Sequence, residues 1–132
     1  MADYDAVVMK NTELENWAES PTAPTILSEK REGEVLELTL YVPAELFQFR
    51  GHFPGDPILP GVAQLDWVGR FARTYFGYQG GFTKLGQLKF SRLIKAETEL
   101  LLCLELMPDK NRLIFTYSED GTVCSSGFFE LA

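Results

Sequence analysis

Two side chains capable of proton chemistry stand fourteen residues apart in one stretch punctuated by proline and glycine: His52, the chain's only histidine, and Asp66. Histidine exchanges a proton near neutral pH, and a carboxyl placed opposite it can act as the complementary acid. Between them lies Pro60-Gly61-Val62. Proline tolerates the start of a helix because its missing N–H would be unpaired there, and the residue before a proline is steered away from helical dihedrals. A helix is therefore predicted to begin near Gly61. Its first amides, at Gly61 and Val62, form a positive pole able to hold a carbonyl oxygen as it gains charge. Asp66 falls one turn beyond Val62 on the same face. A base, an acid and an oxyanion-binding helix end are thus compressed into a set suited to moving a proton beside a carbonyl. A turn histidine, a solvated helix aspartate and a plain helix start are the structural readings against which this set is weighed.

The elements that must hold it can be read on either side. Leu65, Gly69, Ala72 and Phe76 recur at helical spacing, and Val62, Val68, Phe71 and Tyr75 widen the apolar surface. The predicted helix runs from Gly61 to about Phe76 and ends at Gly77 and the pair Gly80-Gly81. A helix this apolar needs a sheet around it. Strand-like runs precede it at 26–32 and 34–42, with Gly33 in the turn and Leu36, Leu38, Leu40 and Val42 alternating with Glu37, Thr39 and Tyr41. Four more follow at 84–94, 98–107, 112–118 and 122–131, with Asp120-Gly121 as a hairpin turn and Leu100, Leu102, Leu104 and Leu106 on one face. Two strands, a long helix and four strands define an α+β class, an antiparallel sheet curled around one central helix. Residues 1–24 read as a lead-in segment, with a short helix between Asp5 and Glu19 that Ser20-Pro21-Thr22-Ala23-Pro24 cannot continue. Residues 25–132 read as the single domain.

Composition narrows the function classes. A chain of 132 residues, 45% hydrophobic and 13% aromatic, buries a real core. Its net charge of −7 argues against nucleic-acid binding, which needs a basic surface. The opening Met1-Ala2-Asp3-Tyr4-Asp5 lacks a basic and an apolar leader region, and no apolar run is long enough to span a bilayer, so the expected location is cytoplasmic, with no membrane partner. Cys103 and Cys124 lie inside strand-like runs without metal-ligand spacing and read as buried free thiols, with a disulfide as the less favoured alternative. One histidine and no paired cysteines leave no zinc site, so no metal or cofactor is expected.

The string Gly51-His52-Phe53-Pro54-Gly55-Asp56-Pro57-Ile58-Leu59-Pro60-Gly61, followed by Asp66, resembles the signature of the β-hydroxyacyl-thioester dehydratases of bacterial fatty-acid synthesis, single hot-dog domains with the pattern GHFPxxPxxPG and a later acid. Asp66 matches the branch that uses Asp where the other uses Glu. Leu59-Pro60-Gly61-Val62-Ala63-Gln64-Leu65-Asp66-Trp67 is similar, more narrowly, to the short dehydratases of aryl-polyene pigment synthesis. Leu88-Lys89-Phe90-Ser91-Arg92 resembles the basic strand that follows the helix in these enzymes, so the likeness runs from about residue 26 to the end.

The resemblance implies a hot-dog fold and a (3R)-3-hydroxyacyl-thioester dehydratase that yields a trans-2-enoyl thioester and water, in fatty-acid or aryl-polyene-type synthesis. His52 would remove the C2 proton, the Asp66 carboxyl would assist departure of the C3 hydroxyl, and the Gly61 and Val62 amides would polarise the thioester carbonyl. Val62 stands where the isomerising member of the Asp branch has cysteine, so isomerisation is not implied. Phe47, Phe49, Phe53, Trp67 and Phe82 are candidates to line an acyl tunnel, with core packing as the alternative for each. Arg50, Lys89, Arg92 and Lys95 form a candidate basic patch for an acidic acyl carrier protein or the phosphates of coenzyme A. Each site in the family is shared across a dimer, which implies a homodimer or higher oligomer, or a heteromer with a second hot-dog subunit. A hot-dog thioesterase and a non-catalytic partner subunit of a dehydratase are the rival readings.

Overall fold

The computed structural model describes residues 22–46, 49 and 57–132. The lead-in helix expected between Asp5 and Glu19 lies outside the described residues. Within them the order is β1 (Thr25–Glu32), β2 (Val35–Tyr41), α1 (Gly61–Phe76), β3 (Phe82–Phe90), β4 (Glu99–Met107), β5 (Arg112–Glu119) and β6 (Thr122–Leu131), with one 3₁₀ turn at Pro108–Lys110. The strands form one six-stranded sheet in the order β1-β2-β4-β5-β6-β3, antiparallel throughout. An α+β fold with one helix against one antiparallel sheet is what the pattern of strands and helix predicts.

The core follows from the period-two alternation of the central strands. Leu36, Leu38 and Leu40 on β2, Leu100, Leu102 and Leu104 on β4, and Leu113, Phe115 and Tyr117 on β5 are all essentially inaccessible. Their shared face receives Trp67, Val68, Phe71 and Ala72 of α1. Pairing keeps the leucines in one layer, since Leu36 lies opposite Leu104, Leu38 opposite Leu102 and Leu40 opposite Leu100. The buried residues of α1 are Ala63, Gln64, Trp67, Val68, Gly69, Phe71 and Ala72. Val62 is not among them: its side chain is 75% exposed, because the sheet covers the face that begins with Ala63 and Gln64. The helix closes at Gly77, whose φ of 66° suits a residue without a Cβ and lets its N–H reach the Ala72 carbonyl.

The strand expected over 84–94 ends earlier. Past Phe90 the chain turns, and the N–H groups of Ser91 and Arg92 both donate to the Cys124 carbonyl, at 2.8 and 3.1 Å, which terminates the β3–β6 ladder. Ile94 is nonetheless fully buried, as a plug beneath the start of α1. Its carbonyl accepts the Leu59 N–H at 2.7 Å, and Ile58 bridges Lys95, so this connection is stitched to the loop that feeds the helix.

The two sheet edges differ. At β1, Tyr75 donates its hydroxyl to Glu29 at 2.7 Å and Arg31 donates to the Tyr75 carbonyl while lying over the Phe76 ring, so this edge is latched to the end of α1. The Glu29 bond, with some burial and the carboxylate charge, pushes the Tyr75 hydroxyl up to about 12. Nothing comparable covers β3 among the described residues, and Leu85, Leu88 and Phe90 are exposed along it. Cys103 is half-buried and Cys124 buried, both free.

Removing methyl groups from the leucine layer leaves a void that the sheet cannot close. Leu102→Ala should lower the unfolding free energy by about 3 kcal/mol in urea titrations, whereas Leu101→Ala, on the open face of the same strand, should cost a small fraction of that. Equal losses would contradict the assigned register.

Candidate active site

Pro60 sits at the N-cap of α1 with φ −64° and ψ 151°, and its carbonyl accepts the N–H groups of Ala63 at 3.1 Å and Gln64 at 3.3 Å. The Gly61 and Val62 amides therefore precede the first bond of the ladder, as the sequence predicts. Gly61 also lines a cavity of about 380 Å³, together with Ile58, Leu59, Pro60, Gln64, Phe90, Ser91, Arg92, Leu93 and Ile94. The walls are mainly apolar and the helix pole supplies partial positive charge at one end, an arrangement able to receive an acyl chain and polarise its carbonyl.

Gly61 has to be small. A Cβ added there would lie 2.6 Å from the Phe90 ring, which rests across the start of the helix. The strand-like run at 84–94 gives no hint of this contact, because it depends on how β3 crosses α1.

Asp66 lies one turn along, on the exposed side of the helix, with its side chain 46% accessible. Arg70 Nε donates to Asp66 Oδ2 at 2.9 Å, and Arg70 also donates to the Thr22 hydroxyl at 3.1 Å. The arginine thus fixes one carboxyl oxygen and leaves Oδ1 without a partner among the described residues. Asp66 is therefore not a core carboxylate, although Leu65 and Trp67 beside it are apolar. Its charge still reaches Tyr117, whose hydroxyl is pushed well above the ordinary range by burial first and by Asp66 second. Tyr117 accordingly stays a neutral donor, and gives its hydrogen to the Gln64 carbonyl at 2.7 Å.

His52, Phe47, Phe53 and Arg50 lie outside the described residues. Phe49 is buried, with its N–H donated to the Leu46 carbonyl at 3.0 Å. Trp67 is fully buried in the core and donates its indole N–H to the Thr22 carbonyl at 2.9 Å, tying the segment before β1 to the helix. Phe82 stacks on Phe129, ring centroids 4.6 Å apart, and on Tyr78. Neither Trp67 nor Phe82 lines the cavity at the helix start. Of the candidate basic patch, Arg92 lines that cavity and faces Glu119 at 3.7 Å, while Lys95 sits beside it through the bridge to Ile58. Lys89 instead borders a second depression of about 540 Å³ on the outer face of the sheet, shared with Arg112, Ile114 and Phe128.

Gln64 is the site residue that sequence reasoning passed over. It is buried, and its carboxamide accepts the Ser125 hydroxyl at 2.7 Å and donates to the Leu59 carbonyl at 3.4 Å. The available signal was a carboxamide amid the apolar run Gly61-Val62-Ala63-Gln64-Leu65. No three potential metal-ligating side chains gather among the described residues, and none of their helices is long and apolar enough to cross a membrane.

A single long helix seated against a six-stranded antiparallel sheet defines a hot-dog domain. The family model for the ApeI dehydratase (ApeI-like) matches residues 28–128, and the chain belongs to this family. A solved chain of the dehydratase heterocomplex ApeI:P from Xenorhabdus doucetiae is 33% identical over 83% of this chain and 97% of its own, with a TM-score of 0.78. An uncharacterized protein from Erwinia carotovora subsp. atroseptica is 37% identical over 83% of this chain and 95% of its own, with a TM-score of 0.72. At fold level alone, zebra fish thioesterase superfamily member 2 superposes with a TM-score of 0.56 at 10% identity, covering 96% of this chain and 91% of that one.

The close approach of Phe90 to Gly61 yields a double-mutant test. Gly61→Ala should destabilise by about 1 kcal/mol through overpacking against a ring that is itself half exposed and can yield. In the Phe90→Ala background the same change should cost close to nothing, and additive losses in thermal melts would show that the ring is not the obstacle.

Proposed function

We propose that the protein dehydrates (3R)-3-hydroxyacyl thioesters, carried by an acyl carrier protein or coenzyme A, to trans-2-enoyl thioesters in an aryl-polyene or fatty-acid type of synthesis. The observation that carries this reading is the joint placement of the unspent Gly61 and Val62 amides and the half-exposed Asp66 carboxyl, one turn apart at the start of α1 in a chain of the ApeI-like family. The thioester carbonyl accepts a hydrogen bond from the amide pole. His52 takes the proton from C2, and the electron pair moves into an enolate whose oxygen the amides stabilise. Collapse of the enolate forms the C2–C3 double bond and expels the C3 hydroxyl, which takes a proton from the Asp66 carboxyl, directly or through a water, and leaves as water. Arg70, bonded to Oδ2, orients the carboxyl so that Oδ1 faces the leaving group.

Assembly completes the site. Val62, Leu88, Phe90 and Leu93 are exposed around the helix start and along the uncovered β3 edge, a surface that a second hot-dog subunit would bury. A homodimer or a pair with a related subunit would bring a His52 from one chain opposite an Asp66 from the other. That a similar chain belongs to a dehydratase heterocomplex, ApeI:P, supports pairing with a second subunit.

Mass spectrometry of a 3-hydroxyacyl carrier protein after incubation separates the readings: loss of water supports the dehydratase, loss of the acyl group a thioesterase, and no change a non-catalytic subunit. His52→Ala should abolish turnover with the fold intact. Asp66→Asn should lose most activity, because an amide cannot exchange the proton the hydroxyl needs. Asp66→Glu should keep a measurable part, with about a hundredfold loss from an ångström of misplacement. An Asn variant as active as wild type would remove the acid from this mechanism.

Light scattering should find the wild type dimeric or larger, and Leu88→Glu, which puts a charge on the β3 edge, should shift it toward monomer with at least a tenfold loss of turnover. A stable wild-type monomer with full activity would rule out a shared site.

A further inference from the structure

We propose that Gln64 is a positioning residue: its buried carboxamide ties the Leu59-Pro60 turn to β6 and thereby aims the Gly61 and Val62 amides at the substrate carbonyl. The inference rests on the dehydratase reading for its catalytic consequence, but its structural half stands alone.

Only 4% of Gln64 is accessible, and Ser125, its partner, is fully enclosed. A leucine would fill the same place in the core without needing two polar partners, since a buried carboxamide is tolerated only when its hydrogen-bonding groups are met. The partners come from different parts of the fold and converge on one turn. Ser125 of β6 donates to Gln64 Oε1 at 2.7 Å, Gln64 Nε2 donates back to the Leu59 carbonyl at 3.4 Å, and Tyr117 of β5 donates to the Gln64 main-chain carbonyl at 2.7 Å. From the other side, the Leu59 N–H is held by the Ile94 carbonyl at 2.7 Å. Leu59 through Gln64 is thus bonded to two strands and to the β3–β4 connection, and Gln64 links the end of the turn to its beginning.

Gln64 also lies three residues after Gly61, on the same side of the helix, and lines the same cavity. Its carboxamide sits behind the amide pole and contacts the peptide chain that carries it. Amides that stabilise an enolate must be within about 2.7–3.1 Å of the oxygen, and a displacement on the order of an ångström costs about a hundredfold in rate. A tie that limits tilting of the first turn therefore acts on the chemical step more than on substrate capture. The Leu59 contact, at 3.4 Å, is the long link in this chain. It leaves the second N–H of Nε2 without a protein acceptor among the described residues.

The test uses the full-length protein and three substitutions, Gln64→Met, which keeps volume but removes both polar groups, Ser125→Ala and Tyr117→Phe. Steady-state dehydration of a 3-hydroxyacyl carrier protein is measured beside residue-resolved amide hydrogen exchange. Gln64→Met should lower kcat about tenfold to a hundredfold with KM within threefold of wild type, and Ser125→Ala should lower it by less. The double variant should be no worse than Gln64→Met alone, because both changes cut the same link. Exchange at Gly61 to Leu65 should rise at least tenfold in Gln64→Met while Phe71 and Ala72 stay unchanged. A kcat within threefold of wild type, or a loss that appears in KM alone, overturns the proposal. If Gln64→Met does not fold, the two hydroxyl deletions carry the same comparison, and unaltered kcat in both overturns it. If the wild type itself releases no water, the dehydratase reading fails and exchange alone decides: unchanged protection at Gly61 to Leu65 overturns the tie, and selective loss supports it.

Discussion

A helix packed along its length against a single sheet can do chemistry only where the sheet does not reach. In this protein the leucine layers of β2 and β4 and the aromatic residues of β5 take up the face of α1 that carries Trp67, Val68, Phe71 and Ala72. What remains accessible is the first turn and the opposite side, where Gly61, Val62 and Asp66 stand. The same burial that holds the domain together therefore selects the location of the proposed site. It also gives the helix start a rigid support, since a close-packed interior resists the small rotations that would misdirect an amide.

Polar groups inside that interior are few and concentrated. Gln64 and Ser125 are the buried polar side chains among the described residues, and they bond to each other directly beneath the helix start. Tyr117 adds a hydroxyl that burial and the neighbouring Asp66 charge keep protonated. Buried networks of this kind contribute specificity of geometry at some cost in solvation, and their placement under the amide pole is consistent with a need for a fixed direction there.

Charge and exposure divide the surface. The chain carries a net −7, yet Arg92 lines the cavity and Lys95 is bridged to Ile58 in its wall. The latched β1 edge and the bare β3 edge make the two sides of the sheet unequal. An uncovered antiparallel edge with apolar side chains is a surface prepared for another strand.

Much of this was legible in the chain itself. Period-two leucines at 36–40 and 100–104, a helical apolar run beginning after Pro60-Gly61, and glycine punctuation at Gly77 are local signals, because neighbouring side chains and backbone preferences generate them. They determined the α+β class, the helix bounds and the acid one turn from the amide pole, and the Pro-Gly string pointed to the dehydratase family. Other features arise between residues distant in sequence and could not be read from spacing. The exposure of Val62 depends on which side of α1 the sheet covers. The early end of β3 depends on two amides meeting the Cys124 carbonyl, and the need for glycine at 61 depends on where the Phe90 ring crosses. Gln64 carried no local mark beyond its polarity. Its bonding emerged only when Ser125, Tyr117 and Leu59 were brought around it, because a hydrogen bond is decided by distance in space and direction, and only the packed sheet sets both.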